Sequence, residues 1–194
     1  AMTQSMKFCS ICASPLSIRL PQGDNRERHV CSECGEIHYQ NPKIVTGCIP
    51  EWEDRILLCR RAIEPRHGFW TLPAGFMENG ESTQQGAARE TMEEANAKVR
   101  IVQLYTTFNL PHIDQVYMLF RGQLLDTDFS PGDESLETRL YREAEIPWDE
   151  LAFPVVRETL VRYFSDRKEG AFVPRVGDIR RIPGAGRSYQ VTML

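Results

Sequence analysis

The sequence predicts an α/β (α+β) sandwich with a mixed sheet, preceded by a small, separate N-terminal segment. Strand-like and helix-like patterns alternate between residues 41 and 165, which is typical of sheet and helix layers packed around one core. The first 40 residues instead hold two Cys-x-x-Cys pairs and few large apolar side chains. The last residues are rich in glycine, proline and arginine. We therefore expect three parts: residues 6–40, residues 41–165 and a C-terminal tail over residues 166–194.

The composition narrows the classes of function. The 194 residues are 41% hydrophobic and 26% charged, which is the composition of a soluble globular protein. A formal net charge of −4 disfavours broad nucleic-acid binding, because that function calls for a basic surface. No apolar run approaches the roughly 18 residues that span a membrane, so we expect no membrane partner. The polar N-terminus shows no export signal, and we expect a cytoplasmic protein without disulfides.

The paired cysteines predict a structural zinc site in the N-terminal segment. Cys9 and Cys12 form one pair, and Cys31 and Cys34 form the other after a spacing of eighteen residues. Four thiolates complete a tetrahedral shell that suits zinc and closes it to substrates. So short a segment depends on the metal to stay folded, as a zinc ribbon does. A rubredoxin-like iron site or a redox dithiol are the alternatives.

The central part is expected to alternate strands with two helices. Short apolar runs predict strands at residues 43–50, 55–62, 98–108, 115–124 and 139–142. Residues 51–54 fit a hairpin loop, residues 69–72 form a short extended piece, and residues 75–80 form a loop.

The first predicted helix begins at Ser82, where Gln85 stands in capping-box position, and ends near Asn96, which suits a left-handed cap. A helical stripe of apolar residues predicts the second helix over residues 154–165. The packing side of the first helix is expected to hold Ala87, Ala88, Thr91, Met92 and Ala95.

Three glutamates of the first helix predict a divalent-metal site. Glu90, Glu93 and Glu94 are three and four residues apart and project from one face, where their charges repel one another. Carboxylate oxygens with retained waters are the preferred shell of magnesium or manganese, which can bridge pyrophosphate oxygens. Arg89 can pair with Glu93 or Glu81 and orient the carboxylates, or contact phosphate. The alternative is a solvated acidic face.

These residues, together with the loop before them, resemble the Nudix box. Gly75, Glu81 and the Arg89–Glu94 stretch keep its spacing, whereas Asn96 replaces the final glycine, and Thr91 and Ala97 stand at apolar positions. The ribbon followed by Tyr-Gln-Asn-Pro-Lys is similar to the NADH pyrophosphatase branch of the family. Within that branch, the chain looks more similar to the plant plastid FAD and ADP-ribose pyrophosphatases. The stretches that carry this similarity include the ribbon and residues 40–43, 67–75 and 134–137.

The resemblance implies a Nudix-type α/β/α sandwich and a set of site residues. Magnesium would be held by Glu90, Glu93, Glu94 and the carbonyl of Gly75, with Glu81 as a further or outer ligand. A distal carboxylate is expected as ligand or base, Glu137 first and Glu134 second. The resemblance also implies a homodimer. The tail arginines, which would contact a partner subunit or lie loose, are Arg175, Arg180, Arg181 and Arg187.

The substrate is expected to be a small-molecule nucleotide. The NADH pyrophosphatase branch carries a Ser-Gln-Pro-Trp-Pro-Phe-Pro signature that residues 106–114 lack, which favours FAD or ADP-ribose. Phe69 and Trp70 are candidates to stack on a base and Arg61 to meet phosphate, although packing roles are the alternative for each. Further candidates with the same alternative are Trp52, Phe76, Arg60, Arg66, His67 and His112.

We therefore expect metal-dependent hydrolysis of the pyrophosphate bond of a nucleoside diphosphate derivative, with release of AMP. One alternative is hydrolysis of NADH or of an NAD cap on RNA. Another, from a different class, is a nucleotide-sensing regulator whose ribbon binds nucleic acid or protein. A binding module has no need of three repelling glutamates, which favours the enzyme.

Overall fold

The chain divides into two compact units at the junction between Pro42 and Lys43, two residues after the boundary expected from sequence. The computed structural model describes residues 6–184, 186 and 188–194, so Arg187 of the expected tail lies outside the described residues. In that described part, none of the helices is long and apolar enough to cross a membrane.

The N-terminal unit contains a small antiparallel sheet. Its strands are β1 (Leu16–Arg19), β2 (Arg28–Cys31) and β3 (Ile37–His38), in that spatial order. Leu16 pairs with Cys31, and His29 pairs with His38. One Cys-x-x-Cys turn precedes β1, and the other connects β2 to β3. These strands are too short to show in a hydrophobic pattern.

The second unit is a nine-stranded sheet with two helices. The helices are α1 (Thr83–Ala95) and α2 (Pro154–Glu169). The strands are β4 (Lys43–Trp52), β5 (Arg55–Arg61), β6 (Trp70–Thr71), β7 (Ala74–Phe76), β8 (Val99–Leu110), β9 (Gln115–Leu124), β10 (Ser135–Tyr141), β11 (Arg175–Arg181) and β12 (Tyr189–Met193). The main path runs β10-β5-β4-β9-β8-β11-β12, while β6 pairs with β5 and β7 with β4.

The sheet is mixed and has a helix on each face, as predicted. The pairs β4–β9 and β8–β11 are parallel, and the other pairs are antiparallel. Cys48 and Ile49 are neighbours on β4 and therefore point to opposite faces. Cys48 packs with Ala87 of α1, whereas Ile49 belongs to the large core that includes Leu160 of α2.

Helix α1 has the caps that the sequence predicts. The Ser82 hydroxyl accepts a hydrogen bond from the Gln85 N–H at 3.2 Å, and the Gln85 side chain accepts one from the Ser82 N–H at 2.8 Å. Asn96 closes the helix in the left-handed region, with φ 47°. On the packing side, Met92 differs from the prediction, because it is 38% exposed.

The C-terminal residues differ most from the prediction. Residues 166–194 were expected as a tail, but they contain the last turn of α2 and the strands β11 and β12. Ile179 on β11 is fully buried, and Arg175 forms an ion pair with the buried Asp166 of α2. Strand β11 pairs with β8, nearly 70 residues earlier in the chain, and local hydrophobic patterns carry no information on so distant a partner.

Strand pairing also explains smaller differences between the predicted and observed bounds of strands and loops. The hairpin between β4 and β5 turns on Glu53 and Asp54 alone, because Trp52 already pairs with Arg55. Residues 74–76, in part predicted as loop, form β7 against β4. Strand β10 starts four residues earlier than predicted because its first residues pair with β5.

Candidate active site

Arg89 is the centre of the acidic cluster on α1. Its guanidinium donates hydrogen bonds to the carboxylates of Glu81, Glu90 and Glu93 and to the carbonyl oxygen of Phe76. The shortest N–O distances are 2.8 Å to Glu81, 2.7 Å to Glu90 and 2.8 Å to Glu93. One cation therefore holds three carboxylates from the helix and its entry loop in a fixed arrangement.

Glu81 connects the entry loop to the helix. Its Oε1 accepts the Glu78 N–H at 2.7 Å in addition to the bonds from Arg89. Arg89, and then the Glu78 N–H, lower the pKa of Glu81 to about 2. Glu81 is therefore ionised at neutral pH and acts as an anchor for Arg89.

Gly75 and Glu90 are in direct contact. A Cβ atom on Gly75 would lie 2.4 Å from the carboxyl carbon and both oxygens of Glu90, so only glycine leaves room for this carboxylate. Strand β7 brings Gly75 there by pairing it with Thr46 of β4. Burial raises the pKa of Glu90, and the bonds from Arg89 oppose that rise.

Glu94 is the most strongly perturbed of the three helix glutamates. The residue is only 7% exposed, and burial followed by the charge of Glu90 raises its pKa to about 8. The Arg61 guanidinium and the Ala74 N–H act in the opposite direction. Nearby anions and burial therefore make the ionised form of Glu94 costly in the protein alone.

The donor set fits a hard divalent cation. Glu90 and Glu94 are buried carboxylates one turn apart, and the charge of Glu90 raises the cost of ionising Glu94, which a bound cation would offset. The Glu93 side chain is more exposed, and its carboxylate forms an ion pair with Arg89. Within the described residues, the carboxylate oxygens are not gathered as tightly as the cysteine sulfurs of the ribbon, because they surround the Arg89 guanidinium instead.

The two candidate distal carboxylates lie differently. Glu137 is on β10, where its carboxylate is 3.9 Å from the Arg60 guanidinium. Glu134 precedes β10, and its charge contributes to the raised pKa of both Glu90 and Glu94. The carbonyl oxygen of Glu134 accepts the Ala62 N–H at 2.8 Å, which fixes its backbone beside β5.

The aromatic candidates for substrate binding differ in their exposure. Trp70 is 5% exposed and packs edge to face on Tyr141 with ring centroids 5.1 Å apart, which leaves no face for a base and corrects the stacking expectation. Phe69 is half-buried under the Arg66 guanidinium. Phe76 is 49% exposed at the end of β7, with the Lys43 ammonium 4.9 Å from its ring centre.

Arg61 is half-buried at the end of β5. Its Nε donates to the Pro65 carbonyl at 2.9 Å, and its guanidinium lies 5.1 Å from the centre of the Phe153 ring. Arg61 also acts on Glu94 and on Tyr117, where it opposes the rise in pKa that burial causes. In the described part of the chain, Arg61 forms none of the ion pairs with carboxylates that most arginines of this unit form.

The other candidates have contacts of their own. Trp52 packs in the small core that includes Leu57. The Arg60 Nε donates to the Gly68 carbonyl at 3.0 Å. The His112 ring lies 5.8 Å from the Tyr189 ring, and His67 is exposed.

The four paired cysteines of the N-terminal unit form a metal-sized cluster. Their sulfur atoms all lie within 4.8 Å of one another, with 3.6 Å between Cys9 and Cys34 and 3.4 Å between Cys12 and Cys31. A zinc–sulfur distance of about 2.3 Å gives a tetrahedron with edges of about 3.8 Å, which the cluster matches. His38 is not needed as a ligand, but its Nε2 lies 3.3 Å from the Cys9 sulfur. All six cysteines are free thiols.

Two family models match adjacent parts of the chain. The zinc-ribbon model described as Nudix N-terminal matches residues 7–40, and the NUDIX domain model matches residues 41–175. Together they cover the four cysteines, the Arg89 cluster and Glu134.

Curated relatives include the NAD-capped RNA hydrolases NudC of Photobacterium profundum and Salmonella typhi. They are 29% and 30% identical over 152 residues, which is 75% and 74% of this chain and 53% and 54% of theirs. The chain therefore spans about half the length of the curated relatives it matches.

Solved structures show the same fold. A NUDIX hydrolase from Nitrosomonas europaea is 58% identical, with a TM-score of 0.88 over 90% of this chain and 99% of that one. An ADP-ribose pyrophosphatase from Streptococcus suis is 22% identical, with a TM-score of 0.55 over 70% of this chain and 99% of that one, and this likeness concerns the fold alone.

Proposed function

The chain belongs to the NUDIX family and carries its zinc-ribbon extension, and on that basis we propose that it hydrolyses the pyrophosphate bond of a nucleoside diphosphate derivative with the help of a divalent metal ion. The observation that carries the proposal is the pair of buried carboxylates of Glu90 and Glu94 on α1, of which Glu90 lies against Gly75 and accepts a hydrogen bond from Arg89.

The residues of the chain divide the work. Glu90 and Glu94 would hold magnesium or manganese, with Glu93 and the Gly75 carbonyl as further ligands. Such a metal polarises pyrophosphate oxygens, neutralises developing charge and lowers the pKa of a bound water. Arg89 keeps the carboxylates in place through its bonds to Glu81, Glu90 and Glu93, so that little reorganisation is needed when substrate arrives.

We assign Arg61 to the substrate phosphates. A guanidinium beside an acidic cluster, which forms no ion pair with a carboxylate of the described residues, is suited to a group that carries several anionic oxygens. The exposed ring of Phe76 is the better supported of the aromatic candidates for a base, because Trp70 lies in the core and Phe69 is covered by Arg66.

We propose Glu134, rather than Glu137, as the distal carboxylate. Its charge reaches both Glu90 and Glu94, whereas Glu137 faces Arg60 on β10. A carboxylate in that position can accept the proton of the attacking water or complete the metal shell.

Two substrate classes are compatible with this site. The absence of the Ser-Gln-Pro-Trp-Pro-Phe-Pro signature from residues 106–114 favours FAD or ADP-ribose, with AMP as the common product. The identity of about 30% to NAD-capped RNA hydrolases favours NADH or an NAD cap equally well. All of these compounds contain the pyrophosphate that the cluster would recognise. A homodimer is a further part of the proposal, and light scattering after gel filtration tests it.

The test is a substrate panel. The protein is incubated with magnesium or manganese and with FAD, ADP-ribose, NADH, NAD or a short NAD-capped RNA, and products are separated by chromatography. We expect at least one of these compounds to be hydrolysed, with release of AMP from a free nucleotide or removal of the cap from the RNA. E94Q is expected to lower this rate at least tenfold, which is about 1.4 kcal/mol of barrier. The matched control is E158Q, which changes a glutamate of α2 that pairs with Arg162. Absence of turnover on every substrate would contradict the proposal.

A further inference from the structure

The segment formed by residues 130–134, which ends at Glu134, lies directly on the last turn of α1. The Ser130 N–H donates to the Ala95 carbonyl at 3.0 Å, and the Gly132 N–H donates to the Glu94 carbonyl at 3.0 Å. A Cβ atom on Gly132 would lie 1.7 Å from the Glu93 carbonyl oxygen, so the two backbones touch. The backbone that carries Glu93 and Glu94 is therefore bonded to the backbone that leads to Glu134.

Asn96 adds a side-chain clamp to this contact. Its Nδ2 lies 3.2 Å from the Ser130 carbonyl, 3.2 Å from the Ser130 hydroxyl and 3.2 Å from the Pro131 carbonyl. A side-chain amide has two N–H donors, so it can donate one hydrogen bond each to two of these three acceptors at a time. Neither glycine nor alanine at position 96 has a side-chain donor that could replace these hydrogen bonds.

The other end of the segment is fixed as well. The Ser135 N–H donates to the Gly132 carbonyl at 3.0 Å, and the Ala62 N–H donates to the Glu134 carbonyl at 2.8 Å. Glu134 is thus held between β5 on one side and the C-terminal end of α1 on the other.

The Nudix box has glycine where this chain has Asn96. Both residues accept the left-handed conformation that the cap requires, here with φ 47°. Glycine would keep the cap, whose backbone N–H bonds the Met92 carbonyl at 2.8 Å, but it would lose all three side-chain contacts to residues 130 and 131. The cap and the clamp can therefore be separated by one substitution.

We propose that Asn96 is a positioning residue, whose side-chain amide fixes residues 130–134 to α1 and thereby holds the Glu134 carboxylate at the glutamates of the helix. This inference rests on the proposed hydrolase function. It assigns a role to Asn96, which replaces the final glycine of the family pattern. It predicts that N96G, which restores this glycine, lowers activity.

The experiment compares N96G with the wild type on the best substrate of the panel, with N25G in an exposed turn of the ribbon unit as control. We expect N96G to lower kcat about tenfold, which is about 1.4 kcal/mol of barrier, with KM and melting temperature essentially unchanged. N96D, which keeps the shape but places acceptors against carbonyls, is expected to lose at least as much. Because the clamp acts through Glu134, the double variant N96G/E134Q is expected to be no slower than E134Q alone.

Hydrogen exchange separates this inference from the proposed function. Amide exchange in the peptide that covers residues 126–135 is expected to be faster in N96G than in the wild type, with α2 unchanged, whether or not a substrate is found. Exchange at the wild-type rate would overturn the clamp, as would a wild-type kcat in N96G or losses that multiply in the double variant. A wild type that hydrolyses nothing in the panel would refute the proposed function, and the exchange result alone would then decide on the clamp.

Discussion

Arg89 donates two hydrogen bonds to Glu81, from Nε to one carboxylate oxygen at 3.0 Å and from Nη2 to the other at 2.8 Å. This fork leaves Nη1 to bond Glu90 and Glu93. The same guanidinium therefore joins the loop before the helix to two glutamates on the helix. Its planar geometry is part of the function, because an ammonium group has no comparable fork.

R89K tests whether geometry or charge matters. Lysine keeps the positive charge but cannot bond both oxygens of Glu81 while it reaches Glu90 and Glu93. We expect kcat to fall at least tenfold. We also expect weaker magnesium binding, seen as a higher magnesium concentration for the half-maximal rate. R157K, which changes an exposed arginine of α2, serves as the control. Wild-type turnover in R89K would show that charge alone is sufficient.

G75A tests the contact between Gly75 and Glu90. The added methyl group would occupy the place of the Glu90 carboxylate, so that side chain has to turn away. We expect loss of turnover and at least tenfold weaker manganese binding, measured by titration calorimetry or by the paramagnetic resonance of free manganese. Because the methyl group displaces one flexible side chain, circular dichroism should show a folded protein. Unchanged manganese affinity would remove Glu90 from the metal shell.

E134Q and E137Q form a matched pair, since both change exposed glutamates only three residues apart. We expect E134Q to lower kcat at least tenfold, because its charge reaches Glu90 and Glu94, and E137Q to change kcat less than threefold. Steady-state rates at several pH values provide the measurement. The reverse order of the two losses would support the residue that the sequence resemblance favours.

The ion pair between Asp166 and Arg175 makes stability depend on pH. Arg175, followed by Tyr105, bonds the Asp166 carboxylate and lowers its pKa, so this pair stabilises the folded state above the unfolded pKa of about 3.9. The contribution is lost as the pH falls through the lower pKa of the folded state.

D166N is therefore expected to cost about 3 kcal/mol at pH 7, since it leaves Arg175 partly buried without its partner. The gap to the wild type should narrow as the pH falls below about 4. Urea unfolding at pH 7 and pH 3.5 measures both values. D178N, which changes a more exposed aspartate of β11, is the control and should have little effect. A gap that is independent of pH would mean that packing, rather than charge, makes Asp166 important.

C31S tests the zinc site. The Cys31 sulfur is fully buried among the other three thiols, and serine cannot replace a thiolate ligand. We expect one zinc per chain in the wild type and none in C31S, by plasma mass spectrometry. The ribbon amides should lose protection from exchange, while residues 43–194 keep theirs. C48S, at a buried cysteine outside the cluster, should retain the metal.

The sequence predicted what depends on neighbours along the chain. Glutamates at spacings of three and four share a face of α1, Ser82 and Gln85 form the capping box, and Asn96 forms the left-handed cap. These features follow from helix geometry alone. A bond from Arg89 to Glu93 or to Glu81 was also expected, and the structure has both.

The sequence could not predict what depends on pairing at a distance. Glu90 lies against Gly75 because β7 pairs with β4, and Trp70 is buried because β6 pairs with β5 and brings it to Tyr141. The proposal of Glu134 over Glu137 depends on the effect of its charge on Glu90 and Glu94, and on the contact between residues 130–132 and α1. No local pattern announces such a contact, although the Pro-Gly pair before Asp133 marks a turn there.

The parallel pairing of β11 with β8 extends the folded unit beyond the segment that the NUDIX domain model matches. The family model ends at residue 175, yet Ile179 is fully buried and β12 lies beyond it. A chain trimmed to the homologous region would leave β8 as an open edge with unpaired N–H and carbonyl groups. Such an edge is a template for pairing with other chains, so the trimmed protein would be prone to aggregate. Strands β11 and β12 therefore cover an edge that would otherwise be open to pairing with other chains.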